Sequence, residues 1–403
     1  MIIREIYLNQ IIHFINKPFI KVVTGIRRSG KSILLKLLQN ELIKQDINKE
    51  NIIYINFESF EFSEINNAKN LYHYIKQKIK NKNRYYLLLD EIQEVNEWEK
   101  AINSFSVDFD TDIYITGSNS HLLSSELSTY LSGRYIQFTI YTLSFNEYLQ
   151  FKNEYSQKTI SNKYKEFEKY LRFGGFPSVH TNEFSLEQTY KIVFDIYSSV
   201  ILRDVVQRFK FRDIELLERV IKYVFDNIGN KFSAKKISDY FKSQNRKLDI
   251  NTIYNYLNAL ESSYIIYRIP RYNIKGKEIL KTNEKYFVGD QSLLYALMGY
   301  KDRLISGVLE NIIMLELKRR GYNVYIGKLD NLEVDFIAEK QDKRIYIQVA
   351  YKMTEKKTID REYTPLLKIK DNYPKYVLTM DNTWNDNIEG IKHLHIVDFL
   401  TKL

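Results

Sequence analysis

The feature that most restricts what this chain can fold into is Gly25-Ile-Arg-Arg-Ser-Gly-Lys-Ser32, which matches GxxxxGK[ST]. Phe19-Ile-Lys-Val-Val23 precedes it as a β-rich run. Ile33-Leu-Leu-Lys-Leu-Leu-Gln-Asn-Glu-Leu-Ile43 follows, with good helix formers and recurrent apolar positions. Strand, loop and helix are the context a phosphate-binding loop requires. Gly25 and Gly30 open backbone conformations closed to other residues, so successive N–H groups can turn inward on an anion at a helix N-terminus. In this pattern residues 25–33 (Gly25, Ile26, Arg27, Arg28, Ser29, Gly30, Lys31, Ser32, Ile33) surround a nucleotide. Lys31 reaches the β- and γ-phosphates, and the Ser32 hydroxyl is a Mg²⁺ ligand. An ordinary glycine-rich turn is the competing reading.

The rest of residues 1–150 fits that loop. Apolar runs at 52–57, 85–89, 112–116 and 135–140 alternate with helical segments, the pattern of a parallel α/β sheet covered on both faces. The run at 85–89 ends in Asp90-Glu91. Ligands of doubly wound sheets bind at the carboxyl ends of strands, so Asp90 is expected in the Mg²⁺ shell and Glu91 as the group that polarises the attacking water. An acidic helix N-terminus after a buried strand is the alternative. The next run ends in Thr116-Gly-Ser-Asn-Ser120, where Asn119, then Ser118, is a candidate γ-phosphate sensor. The same residues suit the N-cap of a helix expected at 121–127. Leu131-Ser-Gly-Arg-Tyr135 offers Arg134 as an arginine finger, in cis or from a neighbouring subunit, against a plain solvated arginine.

At 403 residues the chain is too long for one core and suggests two to four domains. A net charge of +10 raises the question of nucleic acid, although lysine is spread widely. Without cysteine there are no disulfides or thiolate metal sites. No run has membrane-spanning length and the N-terminus carries no signal-peptide pattern, so a cytoplasmic protein without membrane association is expected.

Residues 151–225 read as helices beside the nucleotide, with Arg172 as a candidate γ-phosphate contact. Arg203 and Asp204 are charged positions without an assigned chemistry. Residues 226–285 read as a winged-helix-like module: helices at 232–241 and 249–260, then a β-rich pair. Thr252, Tyr254, Asn255 and Asn258 are placed to face a DNA groove, and Lys235, Lys236, Lys242, Arg246 and Lys247 to meet phosphates. Packing within the protein is the other use for such a module.

Residues 286–403 carry Glu310 on a helix, Asp335 on a strand and Gln348-Val-Ala350 on a second strand. Helix glutamate, strand aspartate and second strand look like the PD-(D/E)XK nuclease core, which needs carboxylates for Mg²⁺ and a lysine for the attacking water. The third element departs from it. Gln348 stands where an acid belongs and Ala350 where a lysine belongs, with Lys352 two residues further on as a substitute on the same strand face. The region is read as a nuclease-like fold used for binding rather than cleavage.

Together, residues 25–32, Leu87-Leu-Leu-Asp-Glu-Ile-Gln93, Ile115-Thr-Gly-Ser-Asn-Ser120, Tyr130-Leu-Ser-Gly-Arg134, Leu143-Ser-Phe-Asn-Glu-Tyr148 and Arg172-Phe-Gly-Gly-Phe-Pro177 resemble a prokaryotic AAA-like P-loop ATPase family. Its members join an AAA_14 type core to a C-terminal DUF4143 region, a PD-(D/E)XK nuclease-like domain. The resemblance covers the chain and implies ATP with Mg²⁺, Glu91 as a catalytic candidate and Ser118 and Asn119 as sensor candidates. Without an Asn/Thr-Lys-x-Asp motif, GTP is not expected. DNA, a protein partner and a second copy of the chain are the partners to test. The alternatives kept open are a DNA-binding protein that turns over little ATP and an ATP-regulated nuclease.

Overall fold

The computed structural model describes residues 2–120, 133–155, 160, 162–243, 248–381 and 387–402. The helix expected at 121–127, Tyr130, Leu131 and Ser132 of the motif before Arg134, and Arg246 and Lys247 lie outside the described residues. The chain forms two units, 1–141 with 262–264, and 142–261 with 265–403.

The first unit is built on five strands, β1 (Ile20–Thr24), β2 (Ile52–Asn56), β3 (Tyr85–Asp90), β4 (Thr111–Gly117) and β5 (Tyr135–Thr139). Every apolar run expected to be a strand is one. They lie in the order β2-β3-β4-β1-β5, all parallel. Period-two alternation sends Leu87, Leu89, Ile113 and Ile115 to one face and Tyr86, Leu88 and Tyr114 to the other. The first face packs on helices α3 (Ala68–Lys78) and α4 (Trp98–Asp108), the second on α1 (Glu5–Ile12) and α2 (Lys31–Lys44). Burial on both faces explains why these strands read as continuous hydrophobic runs.

The second unit opens with helices α5 (Phe145–Tyr155), α6 (Lys163–Phe173) and α7 (Leu186–Val200). α7 runs into a π-helical segment, Ile201–Gln207, and α8 (Ile214–Asp226), α9 (Ala234–Ser243) and α10 (Ile250–Ser262) follow. The glycine pair after α6 has a packing reason. Gly174 has φ +72°, an added Cβ there would meet Asp290 Oδ1 at 2.1 Å, and Gly175 N–H donates to Asp290 Oδ2 at 2.8 Å.

Beyond α10 come β6 (Ile266–Asn273), β7 (Glu278–Val288), α11 (Gln291–Met298), α12 (Ile305–Arg319), β8 (Asn323–Leu329), β9 (Leu332–Lys340) and β10 (Lys343–Val349). The chain ends in α13 (Lys356–Leu367), β11 (Lys375–Thr379), β12 (Asn387–Ile388), β13 (Ile391–His395) and α14 (Ile396–Lys402). All eight strands form one sheet, β12-β13-β11-β10-β9-β8-β6-β7.

Two expected boundaries move. The first unit ends at Tyr141, and α5 runs through the boundary drawn at 150/151. The boundary at 285/286 falls inside β7, because β6 pairs with β8 as well as with β7. A hairpin hydrogen-bonded to the next sheet cannot be a module edge, and turn chemistry alone does not reveal such pairing. Among the described residues no helix is long and apolar enough to cross a membrane.

Candidate functional site

Residues 25–32 join the carboxyl end of β1 to the first turn of α2. Gly25 has φ +145°, and a Cβ there would lie 2.1 Å from the Ile140 carbonyl oxygen, so the close approach of the chain after β5 fixes glycine at this position. Gly30 (φ 100°) caps α2, leaving the helix's first N–H groups for an anion. Arg4, missed in the sequence because it lies far upstream, braces the loop from behind. Its guanidinium is buried over the Tyr7 ring and donates to the Ser29 carbonyl at 2.8 Å and the Tyr141 carbonyl at 2.9 Å.

The Lys31 side chain is buried, with Nζ 3.2 Å from the Gly25 carbonyl, 3.4 Å from the Ile26 carbonyl and 3.6 Å from Glu91 Oε1. These are long, loose contacts around a charge. Glu91 follows β3 in a left-handed conformation (φ 54°), held by its N–H donating to Thr116 Oγ1 at 2.9 Å and by Gln93 Nε2 donating to its carboxylate at 2.5 Å. Burial works to raise the Glu91 carboxyl, but Lys31, Gln93 and Arg27 override it and hold it below the usual carboxylate range.

Asp90 is fully buried. Thr116 Oγ1 donates to its Oδ1 at 2.5 Å, the Tyr54 hydroxyl to its Oδ2 at 3.1 Å, and Ser32 hydrogen-bonds it as well. Burial nevertheless leaves its carboxyl above the ordinary value. Strand order explains the arrangement: β4 lies between β1 and β3, so Thr116 at its carboxyl end touches both acidic residues. Tyr54, Thr116 and Gln93 were not singled out by the sequence, since a tyrosine or threonine in a strand carries no motif. Ser118 and Asn119 follow β4 and are both buried. Arg27 forms an ion pair with Glu58, while Arg28 and Ile33 are exposed.

Arg134 is exposed and sits at the opposite end of the sheet: its carbonyl accepts from Ile20 N–H at the start of β1. Five residues of strand, about 16 Å, separate that end from the loop. The cis version of an arginine finger is therefore corrected.

In the second unit Arg172 stacks over the Tyr300 ring at 4.8 Å. Asp204 is buried within the π-helical segment, with Arg203 exposed beside it. On α10, Asn255 and Asn258 are exposed, Thr252 and Tyr254 are half-buried, and Ile253, Tyr256, Leu257 and Leu260 face the core. Lys235, Lys236 and Lys242 on α9 are exposed.

A second polar cleft, about 830 Å³, brings together Glu310 of α12, Glu333 and Asp335 of β9, Gln348 of β10 and Glu362 of α13. Lys285 of β7 enters it, with Nζ 3.0 Å from Glu333 Oε1, 3.1 Å from Glu310 Oε2 and 3.7 Å from Asp335 Oδ1. Glu333, Lys285 and Glu362 were not read from the sequence. Lys352 lies beyond the end of β10 at Val349, exposed beside the Tyr351 ring, and it too lines this cleft.

A parallel sheet whose loop lysine and two strand-end carboxylates converge is the fold of a P-loop nucleotide-binding protein. A family model described as "AAA domain" matches residues 17–149. The chain also shares 44% identity over 402 residues with an uncharacterized protein of Haemophilus influenzae, covering 99% of this chain and 98% of that one. A Methanocaldococcus jannaschii protein, also uncharacterized, is 33% identical over 94% of this chain and 85% of its own length. The chain belongs to the family of these two proteins.

A Walker-type ATPase of Pyrococcus abyssi has a similar fold (TM-score 0.52, 14% identity), with 74% of this chain and 96% of that one covered. For the C-terminal part the expected DUF4143 family is not what matches. A "Domain of unknown function (DUF8612)" covers residues 164–304, running across 225/226 and through β7.

Proposed function

We propose that this protein is a Mg²⁺-dependent ATPase that acts as a nucleotide-driven switch and works on or with DNA through its second unit. The observation that carries the reading is the convergence of Lys31, Asp90, Glu91 and Thr116 at the carboxyl ends of three neighbouring strands. Lys31 takes the β- and γ-phosphates, exchanging its loose carbonyl and Glu91 contacts for phosphate oxygens. Glu91, kept ionised by its surroundings, accepts a hydrogen bond from the attacking water and polarises it. Ser32 and Asp90, a hydroxyl beside a buried carboxylate, are hard oxygen donors that suit Mg²⁺, which supplies charge neutralisation at the phosphates. Ser118 and Asn119 are the γ-phosphate sensor candidates and Arg172 a further one. Arg134 serves as an arginine finger only toward a second copy of the chain.

The DNA part of the reading is supported by the order α8, a β-bridge at Lys231 to Lys285, α9, α10 and the β6–β7 hairpin, the element order a winged-helix-like module would need. Exposed Asn255 and Asn258 on α10 and the α9 lysines supply groups for bases and phosphates.

ATP turnover with and without duplex or branched DNA, for wild type, Lys31→Ala and Glu91→Gln, tests the proposal. Loss of turnover in both variants supports it; normal turnover by Glu91→Gln overturns it. DNA binding that weakens with salt supports the DNA part, and absence of binding at low salt removes it.

A further inference from the structure

The nuclease-like arrangement in the second unit implies a divalent cation between Glu310 and Asp335, and the residues present do not fit one. Three carboxylates converge there, but the space between them holds an ammonium. Lys285 arrives from β7, nearly fully buried, and contacts Glu333, Glu310 and Asp335 at 3.0, 3.1 and 3.7 Å. A second ammonium, Lys231, reaches Glu333 Oε2 at 3.0 Å. Further oxygens of the cluster are engaged in hydrogen bonds. Asp335 Oδ2 accepts from Val349 N–H at 2.9 Å, and Gln348 joins the Asp335 N–H (2.6 Å) to Glu362 (2.9 Å). Glu362 in turn is paired with Arg361 at 2.7 Å. Among the described residues no group of three or more acidic or histidine ligands is arranged to hold a metal.

We infer that the Lys285 ammonium permanently occupies the cation position of a former metal site, making this cleft a metal-independent, non-cleaving centre. The sequence change at Gln348 follows from it. With the ammonium supplying the positive charge, an amide in place of a carboxylate avoids a further buried negative charge, and it can both donate and accept where a carboxylate only accepts. Burial alone works to lower a lysine, but the three carboxylates hold Lys285 protonated well above its ordinary value. Burial pushes Glu310 and Asp335 upward, as expected where two nearby ammonium groups face three acids. A divalent cation bound through these carboxylates would have to displace a charge already tied to three partners.

The test is Mn²⁺ binding by electron paramagnetic resonance on nucleotide-free protein, in a Lys31→Ala background that removes the nucleotide site. The expected result is no Mn²⁺ bound at the cleft in the parent. In Lys285→Ser, Mn²⁺ affinity should rise at least tenfold and be lost again on adding Asp335→Asn. A folded Lys285→Ser protein that gains no Mn²⁺ overturns the inference. If Lys285→Ser folds only with Mn²⁺ present, the inference stands. If it folds under neither condition, the parent decides: a Mn²⁺ signal abolished by Asp335→Asn overturns the inference, and its absence upholds it. ATP turnover of Lys285→Arg, read separately, keeps failure here distinct from failure of the ATPase reading.

Discussion

Two buried lysines divide this molecule's chemistry between them. Lys31 in the first unit and Lys285 in the second each point into a polar site with carboxylates, yet their contacts differ in kind. Among the described residues Lys31 lies 3.6 Å from one carboxylate and within 3.4 Å of two backbone carbonyls, so a phosphate can recruit it at little cost. Lys285 is gripped by three carboxylates, two of them within 3.1 Å. A loosely held ammonium is a ligand-binding group; one whose partners surround it takes the place of a ligand. On the proposed reading, the same residue type is a working part in one unit and a plug in the other.

The sharpest way to break this comparison is to remove both charges and compare. Lys31→Ala should abolish ATP binding, seen by calorimetry, and lower the melting temperature as well, because the buried Glu91 carboxylate loses its nearest positive charge. Glu91→Gln should lower turnover by about 10²-fold or more with ATP binding retained, the scale expected for a positioned base. Lys285→Met should leave ATP binding intact but cost about 3–5 kcal/mol of stability by denaturant titration, as for a buried pair stripped of one partner. If Lys285→Met proves neutral, the ammonium is not tied as its distances say.

Smaller effects refine the first site. Thr116→Val removes the donor to Asp90 and the acceptor for Glu91 N–H, so it should cost about 1–3 kcal/mol and slow turnover severalfold. The weakest expected signal is in pH. Because the folded Glu91 carboxyl lies below its unfolded value, its contribution is fully present above the unfolded value, about 4.3. It is lost as pH falls through the depressed folded value. Thermal melts of Glu91→Gln should therefore depend less on pH than wild type in that acid range, and an unchanged slope would remove the Lys31–Glu91 pair from the explanation.

Much of the first unit is legible in sequence because its constraints are local. A parallel strand buried on both faces must be a short apolar run, and a phosphate loop needs glycine, lysine and hydroxyl at fixed spacing, so all five strands and residues 25–32, 90 and 91 could be named. Thr116, Tyr54 and Arg4 could not: each acts through neighbours brought close by strand order or by the packing of α1. In the second unit the local signals pointed to Glu310, Asp335, Gln348 and Lys352, which line one cleft, but not to Lys285, Glu333 or Glu362 beside them.

By itself, then, the amino-acid sequence determined the phosphate loop and the strand-end carboxylates, since each is a matter of residue type at short spacing. Only the tertiary structure decided what fills the second cleft. Lys285 lies 25 residues before Glu310, in a strand that the sequence assigns to another module, and the pairing of β6 with β8 is what carries that strand into the C-terminal sheet. Contacts between distant segments depend on sheet order, and sheet order is a property of the whole fold.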